Sequence, residues 1–246
     1  MDLDLKGKTA LVTGSYRGTG LIIAQTLIEE GVNTLVHGLK APQAEKAVTE
    51  LGGGIAITAD ITTQEGCEEL VELANEHSLD IIVNNYGTAD PNSWKEGDSG
   101  PWFGAYEKNV LSAQRITQGL LPALLKKKWG RVINLGTTGS TKPSRKNPAY
   151  YSAKGALVAM TVSLAGELAN TGVTANIVSP GLILTPEVKQ QLVDQSAKKK
   201  EKATWEDIEA RVAKDIPIGR IVRREEVANI IAFLCSPKAD AIHGQN

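Results

Sequence analysis

The chain has 246 residues, enough for one large domain and short for two, because single hydrophobic cores stop growing at roughly 250–300 residues. Its 41% apolar content and formal net charge of -1 give no broad attraction to nucleic acid or an anionic membrane, so small molecules are the expected partners. No run of about 18 apolar residues and no basic-then-apolar leader occurs, so neither a membrane span nor a secretory signal is expected and a cytoplasmic location is.

Cys67 and Cys235 lie far apart in no metal-ligand spacing and read as buried packing residues of a reducing compartment. His37, His77 and His243 form no cluster, so no metal is expected. The charge runs Lys126-Lys127-Lys128 and 198–202 flank helical patterns and read as solvated faces.

In chain order, "KTALVTG" at 8–14 is a short β-branched apolar run closed by glycine, and predicts a buried strand. From Gly18 to about Glu30 the apolar spacing is helical, stopping at Gly31. Further strands are predicted at 33–38, 54–60, 79–85, 130–136 and 172–181, with helical stretches between them. Runs with so little polar alternation imply a parallel sheet covered on both faces. The expectation is one α/β domain over 1–246, a doubly wound Rossmann fold whose ligands bind at the carboxyl ends of the strands. Residues 185–216 form a charged, partly helical excursion after the sixth strand, read as a substrate lid.

Between the first strand and helix, "TGSYRGTG" places Gly14, Gly18 and Gly20 where backbone must approach a ligand closely. The amides opening the helix, from Gly18 and Thr19 to Gly20, can hold a pyrophosphate. The second strand ends in "VHGLK", with no acid to bind a ribose 2′-OH; Gly38 leaves room, and Arg17 with Lys40 supplies positive charge. NADP(H) is therefore favoured over NAD(H).

"NPAYYSAKG" at 147–155 puts Tyr150 four residues and Tyr151 three residues before Lys154 on a predicted helix, and spacing alone does not choose between them. A phenol needs roughly 4 kcal/mol to come from its reference pKa of about 10 to about 7, and a nearby ammonium, reinforced by a nicotinamide cation, acts in that direction.

This constellation resembles the short-chain dehydrogenase/reductase family over nearly the whole chain. The resemblance rests on the glycine loop, Asp60-Ile61, "NNYG" at 84–87 where "NNAG" is usual, Asn109 in "KNVLSA", the tyrosine–lysine pair, "SPGLILTP" at 179–186 and the tail "IPIGRIVRREEVANIIAFLCSP". It selects Tyr150 over Tyr151 and implies that Tyr150 exchanges a proton with the substrate oxygen. Lys154 is implied to bind the nicotinamide ribose and lower the tyrosine pKa, and Asn109 to hold a water. It places Asp60 near the adenine, and carries Ile61, Asn85, Pro180, Gly181, Ile183 and Thr185 over as cofactor contacts. The family's serine is Thr137 here, with Thr138 or Ser140 as substitutes if the loop shifts. The extra methyl restricts χ1 and crowds the pocket.

Tyr86 replaces the usual alanine and is expected to narrow the pocket, while Trp94, Trp102 and Phe103 are expected at a pocket rim or as surface anchors. Relatives usually continue past "GQ" through one more strand, so a final edge strand is expected to be absent from residues ending at Asn246. The implied function is an NADP-dependent oxidoreductase acting on a carbonyl or secondary alcohol, as a homo-oligomer, tetramer or dimer. A 3-oxoacyl carrier-protein thioester is the first substrate expectation, with cyclic or sugar-derived ketones compatible. The alternative is a dinucleotide-binding redox sensor without turnover.

Overall fold

The computed structural model describes residues 1–95, 97–199 and 202–246. Glu96, in the aromatic segment, and Lys200 and Glu201, in the expected lid and charge run, lie outside the described residues. Strand β1 (Thr9–Val12) shows why the sheet must be covered twice: Ala10 and Val12 face one side, Leu11 the other, and all three are fully buried. Such a strand is stable only between two layers of helices.

Alternation supplies those layers. After β1 come α1 (Gly18–Glu29), β2 (Asn33–Gly38), α2 (Ala41–Leu51), β3 (Ile55–Thr58), α3 (Gln64–Asn75) and β4 (Ile81–Asn84). Then follow α4 (Gly100–Tyr106), a π turn over Glu107–Leu111, α5 (Ser112–Lys127), β5 (Gly130–Leu135), α6 (Pro148–Glu167) and β6 (Val173–Val178). These strands form one sheet in the order β3-β2-β1-β4-β5-β6, every neighbouring pair parallel. Leu11, Leu35, Ile82 and Val132 bury one face with α3 and α5, and Val12, Ile81, Val83 and Ile133 bury the other with α1 and the last helix.

Beyond β6 the chain makes β7 (Ile183–Leu184), α7 (Pro186–Lys198), α8 (Trp205–Val212), β8 (Val222–Arg223) and α9 (Arg224–Cys235), with β7 and β8 paired in a small separate ribbon. Thr185 and Thr204 cap α7 and α8 by accepting the N–H groups of Val188 and Asp207. The final residues lie beside β6: Gly244 N–H donates to Ala175 O (2.8 Å) and Ile177 N–H to Gln245 O (2.9 Å).

Strand order reverses between β1 and β4, and this sets where a ligand crevice opens. A buried amide ladder fixes the sheet just below it. Asn84 donates to Asn134 Oδ1 (2.8 Å) and Thr117 Oγ1 (2.9 Å), and Asn134 donates to Thr161 Oγ1 (2.8 Å) on α6. Both cysteines are free and buried, and Lys126–Lys128, Lys198 and Lys199 are exposed.

Candidate active site

The turn from β1 into α1 is held from below by a residue that the sequence did not single out. His37, fully buried at the end of β2, accepts the Gly14 N–H at Nδ1 (2.9 Å), and its Nε2 lies 3.0 Å from Ala59 O. Accepting at Nδ1 places the proton of the neutral ring on Nε2, which donates to Ala59. Burial pushes the imidazole down to about 4. The Ser15 hydroxyl accepts the His37 N–H (2.8 Å), closing the anchor.

Above that anchor Gly14 and Gly18 take φ of +64° and +61°, conformations costly for other residues. A Cβ at Gly20 would stand 2.6 Å from Gly14 O and collide with Asn85 Nδ2. No side chain caps the start of α1, so its first amides keep their donors for a ligand. Open space above Gly18 and these uncapped amides fit a dinucleotide pyrophosphate.

Gly14, Arg17, Gly18, Thr19, Gly20 and Asn85 line one groove of roughly 640 Å³. Tyr86 forms part of its wall, its ring 3.2 Å from where a Gly14 Cβ would be, and both it and Leu39, which also lines the groove, pack against the core. Burial, then the charge of Asp60, pushes the Tyr86 phenol up to about 12. Other predicted contacts stand back from the groove. Ile61 is in the core, Gly38 packs under α2, and Asp60 accepts from Thr62 N–H (3.1 Å) and Oγ1 (2.6 Å). Lys40 opens α2, its N–H donating to Gln43 Oε1 (3.0 Å), and does not line the cavity around Arg17; Lys46 and Arg224 do.

A second cavity of roughly 600 Å³ continues from the groove. It is lined by Thr137, Thr138, Tyr150 and Lys154, with Pro180, Gly181, Ile183 and Thr185 along the β6-to-α7 side. Gly139 N–H donates to Thr137 Oγ1 (3.2 Å), which occupies an acceptor position and leaves the O–H to donate elsewhere. Ser140 is not part of the lining; its hydroxyl donates to Thr137 O (2.8 Å). Tyr151 lies against Gly139, where a Cβ would collide with its ring, and meets Tyr150 edge-on at 5.3 Å between centroids.

Lys154 is buried, its Nζ donating to Leu135 O (2.7 Å) and standing 6.0 Å from the Tyr150 ring centroid. Desolvation pulls the ammonium down to about 8. In the chain alone, burial, then Tyr151, pushes the Tyr150 phenol up to about 12. Lys154 is bonded to a carbonyl rather than the phenol, so the chain's own residues keep Tyr150 protonated.

Asn109 sits in the π turn, a local loosening of the helix that the sequence pattern did not reveal. Its Nδ2 donates to Ala105 O (2.9 Å) and Thr88 O (3.0 Å), while the buried Oδ1 has no protein partner. A Cβ at Gly87 would stand 2.5 Å from that Oδ1 and 3.1 Å from Lys154 Nζ, so backbone, amide and ammonium meet at one point. Trp94, Trp102 and Phe103 do not line the cavity. Trp94 and Trp102 meet at 4.9 Å between centroids with their rings tilted by 58°, and Trp102 packs toward Ala149 and Ala153 of α6, where the Asn92–Asn147 backbone bond draws the loop.

Residues 14–246 match the family model described as enoyl-(acyl carrier protein) reductase. The chain belongs to the short-chain dehydrogenase/reductase family. Within that family it is 35% identical to D-beta-hydroxybutyrate dehydrogenase of Cupriavidus necator, over 98% of this chain and 95% of that one. It is 33% identical to 3-oxoacyl-(acyl-carrier-protein) reductase of Haemophilus influenzae, again over 98% and 95%. L-sorbose reductase of Gluconobacter frateurii, solved with NADPH and L-sorbose, superposes with a TM-score of 0.93 at 30% identity, over 100% of this chain and 95% of that one. Membership makes this chain an oxidoreductase of the short-chain dehydrogenase/reductase type with a nicotinamide cofactor. The relatives' differing names leave the substrate to the site itself.

Proposed function

We propose that the protein is an NADP(H)-dependent carbonyl reductase or alcohol dehydrogenase, with 185–216 acting as a lid over a single domain. The observation that carries this reading is the meeting of Thr137, Tyr150 and Lys154 in one cavity that opens onto the glycine-loop groove. When bound, the nicotinamide supplies or accepts the hydride. The Thr137 O–H donates to the carbonyl oxygen and orients it. Tyr150, kept protonated by burial, gives its proton to the same oxygen on reduction and recovers it in the reverse direction.

Lys154 exchanges its bond to Leu135 O for the ribose hydroxyls and adds positive charge beside the phenol. Asn109 Oδ1 holds a water that passes the proton onward. The cations on the adenosine side, Arg17 and Lys46, support a 2′-phosphate, as does the lack of an acid after β2. The reductase of Haemophilus influenzae keeps a 3-oxoacyl thioester as one candidate substrate. The redox-sensor reading draws no support from a site in which the Tyr150 and Thr137 hydroxyls and Lys154 line one cavity.

The test follows NADPH and NADH absorbance against 3-oxoacyl thioesters, diketones, cyclic ketones and keto sugars. NADPH oxidation by one class, lost in Tyr150→Phe while NADPH binding persists, is the expected result. Undiminished turnover by Tyr150→Phe would remove the proposed acid.

A further inference from the structure

The substrate cavity has a charge pattern that the reductase reading does not use. Among the described residues, the charged side chains lining it are Lys142 and Lys154, both cationic. Lys154 is buried and bonded to Leu135 O (2.7 Å), whereas Lys142 is exposed at the mouth. The acids of the adjoining groove are already matched: Glu187 stands 3.7 Å from Arg17, and Asp90 is 2.6 Å from Lys108. Among the described residues no carboxylate pairs with Lys142.

Its root is fixed to the same turn as the reacting hydroxyls. Lys142 N–H donates to Thr138 O (3.1 Å), and the Thr141 hydroxyl donates to that carbonyl as well (3.1 Å). The stretch 141–149 adds Arg145 and Lys146, both exposed, and contains no acid. Across the cavity Leu182, Ile183 and Val188 supply an apolar wall. A ligand filling this space meets hydroxyls at its inner end, aliphatic carbon along one side and an unmatched ammonium at its outer end.

We propose that Lys142 is a specificity-determining residue that selects a keto or hydroxy substrate carrying an anionic group, carboxylate or phosphate, at the end remote from the reacting carbon. This rests on the reductase reading. An anion there gains a charge-assisted bond to an ammonium with no internal competitor. Partial exposure limits the gain to about fivefold in affinity, and screening makes it fall with salt.

The experiment measures NADPH-dependent turnover of methyl-ketone acids from 4-oxopentanoate to 7-oxooctanoate, each beside its primary amide, and of fructose 6-phosphate beside fructose. The proteins are wild type, Lys142→Ala, Lys142→Glu and Lys142→Arg. The readout is the ratio of kcat/KM for the anionic member to that for the neutral one. It is expected to exceed one in wild type, fall about fivefold in Lys142→Ala, fall further in Lys142→Glu and return in Lys142→Arg. Which pair shows the effect distinguishes carboxylate from phosphate. Ratios unchanged across the four proteins would overturn the proposal while leaving the reductase standing. If no probe is turned over, that counts against the reductase reading, and quenching of bound NADPH fluorescence by each probe decides the charge question. Tighter binding of an anionic probe, weakened by Lys142→Glu, supports the proposal; equal binding of both members, or of neither, overturns it.

Discussion

His37 gives the sharpest test of how the glycine loop is built. Its ring is fully buried, accepts the Gly14 N–H and faces Ala59 O, an arrangement that holds only the neutral form. The folded value near 4 lies below the ordinary 6.5, so between these values the unfolded chain binds a proton that the folded chain does not. Stability therefore falls as pH drops from 6.5 toward 4, by up to 1.4 kcal/mol per pH unit and about 3 kcal/mol in total, and this contribution levels off below 4. The assay is urea unfolding of wild type and His37→Asn at pH 7.5, 6.5, 5.5 and 4.5. Asparagine keeps an acceptor for Gly14 without a titrating ring. Carboxylates titrate alike in both proteins, so the difference between the two stability profiles isolates the imidazole. Wild type should lose roughly 2 to 3 kcal/mol more than the variant across this range, the remainder of the loss falling below pH 4.5. Parallel profiles would refute the assignment of a buried neutral ring.

Gly20→Ala should abolish NADPH binding, read by fluorescence titration, because its Cβ would stand 2.6 Å from Gly14 O and collide with Asn85. Thr137→Ser should keep turnover and Thr137→Val should lose it by about two to three orders of magnitude, as expected for a donor aimed at a reacting oxygen; a fully active valine variant would pass the role to Thr138. Neither thiol should react with Ellman's reagent until the protein unfolds, since both cysteines are buried and burial pushes Cys235 up to about 12.

The six strands of the large sheet were legible because each is a short run dominated by apolar residues, a local property of four to six residues; the two-residue strands β7 and β8 are too short to leave such a pattern. The glycine loop was legible for a similar reason: Gly14, Gly18 and Gly20 sit within seven positions, and their backbone geometry is local. Features that depend on distant partners were not. His37 read as an isolated histidine, because its partners Gly14 and Ala59 are each 22 or 23 residues away in sequence. The direction of an exposed lysine is set by tertiary placement, so Lys40, read with Arg17 as a source of positive charge, opens α2, while Lys46 and Arg224 line the cavity around Arg17. The π turn at Asn109 was not legible, since no residue type in "EKNVL" marks a single turn of i→i+5 hydrogen bonds inside an otherwise helical stretch.

Lys154 connects stability to function. A buried ammonium without a carboxylate, held by one carbonyl and lowered from its ordinary 10.5 to about 8, remains charged at pH 7 at a cost of about 3 kcal/mol. Packing alone gives no reason to keep such a group, whereas the proposed chemistry needs positive charge beside Tyr150. Lys154→Met should then lose turnover yet gain stability, with about 1 kcal/mol returned for the lost bond to Leu135 O, leaving roughly 2 kcal/mol in urea unfolding at pH 7 without added cofactor. The sign with pH is also set. The wild-type penalty is full below 8, shrinks as pH rises toward 10.5 because the folded lysine is then neutral, and vanishes above that, so the variant's lead should narrow through this range and end about 1 kcal/mol behind wild type, the worth of the lost bond to Leu135 O. A variant less stable than wild type at pH 7, or a gap that widens between pH 8 and 10.5, would mean that the ammonium is stabilising where it sits, and the trade between stability and catalysis argued for this residue would not exist.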